Sequence, residues 1–177
     1  MGANRQEEPL KQFKVGDNVV HPVYGVGHIV QIEQKQFSEK GVRQYYKVIL
    51  PRSTIWVPIE AQASIGLRLV TARSDLDQYR NLLKSRPVPL KHNHAQRHVE
   101  LANRLKEGSF QVMCEVVRDL TVSGWQKPLG RSDAVILQKT RERLLQEWAA
   151  SAGVSTTAAG KEINTLLRAT QPASNVG

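Results

Sequence analysis

In the first half of the chain apolar residues recur at about every second position, and in the second half at every third or fourth. The shorter period belongs to strands and the longer to helices, because side chains alternate across a pleated strand and return to one helix face after about 3.6 residues. Asn18 to Pro22 reads as a short extended segment, ended by a turn at Tyr24-Gly25-Val26-Gly27. His28 to Lys35 follows as a strand. Val42 to Leu50 is its partner across the loop Ser38-Glu39-Lys40-Gly41, where the glycine offers a positive φ. Tyr46, Val48 and Leu50 fall on one face of that partner, and Tyr45, Lys47 and Ile49 on the other. Pro51 to Thr54 turns the chain into Ile55-Trp56-Val57-Pro58, and Leu67-Arg68-Leu69-Val70 closes the set. Short strands so spaced predict a small antiparallel barrel of SH3 or Tudor type.

From Ser74 the period lengthens. Ser74 and Asp77 resemble a capping box at the start of a helix carrying Leu76, Tyr79 and Leu83, which ends before Pro87. Pro87 and Pro89 begin a linker. A second helix is expected from about Asn93 to Lys106, with Leu101, Ala102 and Leu105 inward and Gly108 as its stop. Ser109 caps a third, whose stripe is Met113, Val116, Val117 and Leu120. Ser132 caps a fourth and longest helix that buries Leu137, Leu144, Leu145 and Trp148 and ends near Gly153. Ser155 or Thr156 opens a last one through Ile163 and Leu167. The predicted class is α+β: a flexible N-terminus over residues 1–12, the barrel over 13–73, an all-α helical bundle over 74–170, and a disordered tail over 171–177.

Composition narrows the chemistry. A hydrophobic fraction of 40% in 177 residues is enough for buried cores. No apolar run approaches the roughly 20 residues that span a bilayer. The polar start lacks the apolar region of a signal peptide, so the expected location is the cytoplasm. Cys114 is the single cysteine, which excludes an internal disulfide and a Cys-based zinc cluster. Between Met113 and Val117 it reads as an inert core thiol. The net charge of +9 favours a polyanionic partner through counterion release. Distribution is more telling than the total: no acid occurs between Asp77 and Glu100, where Arg80, Lys84, Arg86, Lys91 and Arg97 fall.

Enzyme signatures are missing. Gly25-Val26-Gly27 lacks the third glycine and the following helix of a dinucleotide fingerprint, and no Walker sequence, nucleophile elbow or His-Glu-x-x-His occurs. His94 and His98 have metal-chelating spacing, but no third ligand follows on their face, Glu100 being on another. No metal, cofactor or small-molecule substrate is expected, and the imidazoles beside so many cations fit contacts to a phosphate or a base better.

The run Phe13-Lys14-Val15-Gly16-Asp17-Asn18-Val19-Val20-His21-Pro22, then Gly25, Gly27 and Ile32, then Val57-Pro58, resembles a known domain by its order and spacing. It is the polymerase-interacting domain shared by the CarD/CdnL family of transcription regulators and the transcription-repair coupling factor. The resemblance continues through Arg104 to Ser109, Glu115 to Leu120 and Leu144 to Ala149, covering about residues 13–150. A coupling factor would carry a helicase motor, for which this chain has no room.

The resemblance implies a non-enzymatic regulator that binds the RNA polymerase β subunit and promoter DNA near the upstream edge of the bubble. It would modulate open-complex stability and associate with the nucleoid through polymerase. The family docks partly by pairing a strand edge, and its contact positions match Lys35, Ile55, Trp56 and Val57 here. Trp56 stands where the family usually carries a basic residue, so it is an aromatic anchor of the same patch, an altered surface or a core residue. On the DNA side the matching or neighbouring positions are Arg86, Lys91, His94, Arg97 and His98, largely without sequence preference. His94 occupies the place of the family's wedge tryptophan, with Gln96 and Arg97 where two arginines would follow. An imidazole unstacks a base step less well than an indole. The alternative implied by that departure is a polymerase-binding adaptor with weak or no DNA engagement. Trp125, with Lys127 and Arg131, either offers a second contact or packs over the bundle.

Overall fold

The computed structural model describes residues 11–171. The expected flexible N-terminus and disordered tail therefore lie outside the described residues, apart from Lys11, Gln12 and Gln171. The chain divides into two compact units between Leu69 and Val70.

In the first unit β1 (Asn18–His21), β2 (Gly25–Lys35), β3 (Arg43–Ile49) and β4 (Thr54–Pro58) follow one another as antiparallel neighbours. A 3-10 turn and the one-turn helix α1 (Gln62–Ile65) then lead to β5 (Arg68–Leu69), which pairs with β1. The strand order is β4-β3-β2-β1-β5, and among the described residues no ladder joins β4 to β5. The predicted barrel is thus an open five-stranded sheet.

The predicted turn at Gly25 and Gly27 also moves: the chain turns at Pro22–Tyr24, and both glycines lie within β2. Gly27 serves close approach rather than turning. A Cβ there would lie 2.7 Å from the Ile49 carbonyl oxygen and 2.7 Å from a Val48 methyl on β3. Beneath the sheet Phe13, Val19, Ile29, Tyr46, Val48, Leu50, Val57 and Leu67 form one core. The buried Tyr46 hydroxyl accepts from the Phe13 N–H at 3.1 Å and donates to Gln62 Oε1 at 2.9 Å. Gln62 Nε2 in turn donates to the Lys11 carbonyl at 2.8 Å, so the polar groups at this end of the core are satisfied in series.

The second unit is helical: α2 (Leu76–Lys84), α3 (His94–Lys106), α4 (Phe110–Gln126), α5 (Arg131–Ala152) and α6 (Thr156–Arg168). Asn93, Ser109 and Ser155 cap α3, α4 and α6 by accepting from the N–H three residues on, at 3.0, 3.4 and 3.1 Å. Two predicted caps do not form. A 3-10 turn over Arg73–Asp75 replaces the Ser74 box, and α5 begins after Gly130 with Ser132 already inside it.

The main core gathers Leu76, Leu83, Phe110, Cys114, Leu144, Trp148 and Ile163, and α3 adds only the half-buried Leu105 at its border. Leu101 of α3 instead joins Val116 and Leu120 in a second cluster, against which Leu90 and Leu129 pack. Ala102, predicted inward, is exposed. Trp148 donates its indole N–H to Glu162 Oε2 at 2.9 Å, while Arg80 holds the other oxygen of that carboxylate. Burial pushes the Cys114 thiol far up, so it stays protonated and unreactive. Among the described residues no helix is long and apolar enough to cross a membrane.

Gly27→Ala tests the close approach. It forces β2 and β3 apart and should cost about 1–3 kcal/mol by overpacking, read as a lower midpoint in chemical denaturation. An unchanged midpoint would show that the sheet has slack at this position.

Candidate functional site

Two surfaces collect the residues singled out by sequence. In the first unit, strand alternation sorts Ile55, Trp56 and Val57. Ile55 and Val57 lie opposite Val48 and Tyr46 of β3 and face the core, and Val57 is only 2% exposed. The Val57 side chain is therefore no surface contact, a correction that follows from the period of two, while Ile55 packs against the core and stays half-buried. Trp56 lies opposite Lys47 and points to the other face. There its indole N–H donates to Glu33 Oε1 at 2.6 Å. Lys35 Nζ sits 4.3 Å from the Trp56 ring centroid and 3.7 Å from the same carboxylate oxygen.

Phe37, which sequence reasoning passed over, completes the patch. It is 59% exposed and meets Tyr45 edge-on at 5.0 Å and Trp56 at 6.0 Å between centroids. Its only sequence signal is an aromatic residue within an otherwise polar loop. The indole hydrogen bond and the nearby lysines hold the Glu33 carboxyl below the usual carboxylate range. The patch borders β4, an edge strand of the sheet.

In the second unit, Arg86, Lys91, His94 and Arg97 line one cleft together with Lys127, whereas His98 lies outside its lining. Their charges are not equally available. Arg97 is a correction to the expected phosphate contact: its side chain is 10% exposed and its guanidinium is engaged with Asp133 of α5. It also donates to the Lys91 carbonyl, and its Nη2 meets His94 Nδ1 at 2.7 Å. A guanidinium only donates, so His94 accepts through Nδ1 in this contact.

Lys91 is 62% exposed but pairs at 2.6 Å with Glu100, an acid outside the lining of this cleft. That bond holds the Glu100 carboxyl below its usual range. Arg86, Lys127, His92 and His98 are exposed, with no ion-pair partner among the described residues. Trp125 lies in the last turn of α4 and is 43% exposed. No three of His, Cys, Asp and Glu converge to hold a metal ion among the described residues.

A second buried pair fixes the linker between α2 and α3. Arg118 donates to Asp119 at 2.8 Å and to Ser85 Oγ at 2.7 Å, and Asp119 accepts from the Val88 N–H at 3.0 Å. Neither buried acid was foreseen as part of a site, because sequence does not show which residues of α4 and α5 meet the linker.

Comparison with known proteins places both units. Residues 13–70 match the model of the CarD-like/TRCF RID domain, and residues 78–164 match that of the CarD C-terminal domain. The chain is 31% identical over 149 residues to a Bacillus subtilis (strain 168) protein named "Putative transcription factor YdeB". The match covers 81% of this chain and 94% of that protein.

Two measurements check the assignments. Arg97→Ala leaves Asp133 buried without its partner and should cost about 3–5 kcal/mol in urea denaturation. Lys91→Ala, which breaks a surface pair, should cost no more than about 1 kcal/mol. Equal losses would refute the division into structural and surface cations. For Glu33, a lowered folded-state pKa means that its contribution is present above the ordinary carboxylate range and is lost as pH falls through the lowered value. The Trp56 indole N–H resonance should therefore shift on acidification in the wild type and stay constant in Glu33→Gln.

Proposed function

The chain belongs to the CarD-like family of transcription factors, and from that membership we propose a regulator of transcription initiation with two points of contact. The first unit binds the β subunit of bacterial-type RNA polymerase. The second touches promoter DNA near the upstream edge of the bubble and alters how long the open complex lasts. The protein acts in the cytoplasm, without catalysis of its own.

The observation that carries this reading is the position of β4 at the edge of the sheet, beside an outward patch of Trp56, Lys35 and Phe37. An edge strand offers unpaired N–H and C=O groups to a partner strand, and that pairing supplies affinity whatever the side chains are. Specificity then falls to the outward side chains, where an aromatic ring held by a hydrogen bond and covered by a lysine makes a rigid anchor. Ile55 and Val57 contribute backbone to such pairing and turn their side chains toward the core.

On the DNA side, the exposed charges of Arg86, Lys127 and Lys91, with His94 and His98, favour phosphate contact that positions without reading sequence. A second reading, the polymerase-binding adaptor, draws on two observations: an imidazole at the wedge position and the engagement of Arg97 by Asp133.

Trp56→Ala in the full-length chain should weaken polymerase binding by more than about tenfold, and Lys35→Glu should weaken it too. Wild-type affinity in both would overturn the docking surface. With polymerase bound, the lifetime of promoter complexes should change on adding the protein. Arg86→Ala with Lys127→Ala should reduce that change alike on all promoters and lower the salt dependence of DNA binding. Tight polymerase binding with no effect on lifetime would select the adaptor.

A further inference from the structure

The cleft of the second unit is more than a charged surface. It is a half-open space of about 480 Å³ between the linker that precedes α3 and the last turns of α4 with the loop after them. That volume lies within the roughly 300–1,000 Å³ of small-molecule sites. Both walls are fixed. On one side Leu90 packs into the Leu101 cluster and the Val88 N–H is held by Asp119. On the other side Leu129 packs into the same cluster. Pro87, Pro89 and Pro128 stiffen the segments between these anchors. A cleft held in this way loses little entropy on binding.

The lining has two zones of chemistry. Val88, Val122, Leu129 and the prolines give apolar walls, into which Ser123 and Gln126 of α4 bring hydrogen-bonding groups. Arg86, Lys91, Lys127, His92 and His94 supply cationic and imidazole groups. The two acids of the lining, Asp119 and Asp133, are each engaged by a buried arginine, so neither opposes an anion freely. A cation would therefore find no available carboxylate. An inorganic anion would leave the apolar walls unused, and a hydrocarbon would leave the charges unused.

We propose that this cleft is a mononucleotide subsite, with apolar walls for the base, Ser123 and Gln126 for its polar edge, and Arg86 and Lys127 for its phosphate. The same chemistry has two sources: an unpaired nucleotide of a DNA strand or a free nucleotide. The first source rests on the DNA contact proposed above; the second does not.

The test uses the full-length protein with four probes: ATP, GTP, a short single-stranded oligothymidylate and a mixed-sequence duplex. Titrations are followed by backbone amide shifts at Val88, Ser123 and Gln126 and by calorimetry. The cleft is blocked from inside by Ser123→Phe and given an opposing charge at an exposed position by Val88→Glu, each checked for folding by circular dichroism. At least one nucleotide or strand probe should shift the three amides, and both variants should weaken it by about tenfold or more. Ser123→Phe should leave duplex affinity unchanged, since it removes no charge.

Stronger binding of the strand than of ATP or GTP assigns the source to DNA. The reverse order assigns it to a free nucleotide. Duplex binding with silent cleft amides overturns the subsite and leaves the DNA reading standing. Nucleotide binding without any DNA binding keeps the subsite and removes the DNA reading. Binding of every probe that both variants leave at wild-type strength overturns the subsite as well.

Discussion

Arg97 and Asp133 meet, both buried, where α3 and α5 begin, and the linker before α3 and the His94 ring are held around that contact. Removing a guanidinium and a carboxylate from water costs several kcal/mol per ion, so such a pair persists only where the remaining donors find acceptors. Arg97 meets that condition through Asp133, the Lys91 carbonyl and His94. The pair thereby ties the end of the linker and the first turn of α3 to α5. It also orients the His94 ring. Arg118 and Asp119 repeat the arrangement at the other end of the linker, joining Ser85 and Val88 to α4. The linker is clamped at both ends by buried charge, and the cleft is the space left between it and α4.

This internal pairing changes what the unit shows to a partner. Of the basic stretch that contains no acid, Arg97 is withdrawn into structure and Lys91 is partly balanced by Glu100. Among the cations that line the cleft, Arg86 and Lys127, the latter entering from the far side, are exposed and have no ion-pair partner among the described residues. These two charges come from separate parts of the chain, not from a continuous run.

The first unit follows a different constraint. Once Tyr46, Val48 and Val57 are committed to the core, the alternation of side chains leaves Trp56 outside. An indole N–H at a half-buried position seeks an acceptor, and Glu33 on β2 supplies it. Lys35, two residues further along the same strand, then falls over the ring. Trp56 thus presents an aromatic ring with a positive charge beside it, both held by Glu33.

The sequence by itself determined the α+β class, the change of period near Ser74, most helix limits and the caps at Ser109 and Ser155. These depend on local periodicity and on side chains that bond their own backbone a few residues away. The ordered glycines and apolar residues from Phe13 to Pro58 were also enough to indicate the family, since spacing along one chain is what a family resemblance measures. Tertiary structure decided the rest. Only the register of β3 with β4 shows that Trp56 faces out and Val57 in, and only the approach of β3 explains why Gly27 has no side chain. The burial of Arg97, the pairing of Lys91 with Glu100 and the arrival of Lys127 at the same cleft all join residues far apart in the chain or on different elements. The type of a charged residue is written in the sequence, but its availability is set by the partner that folding places beside it.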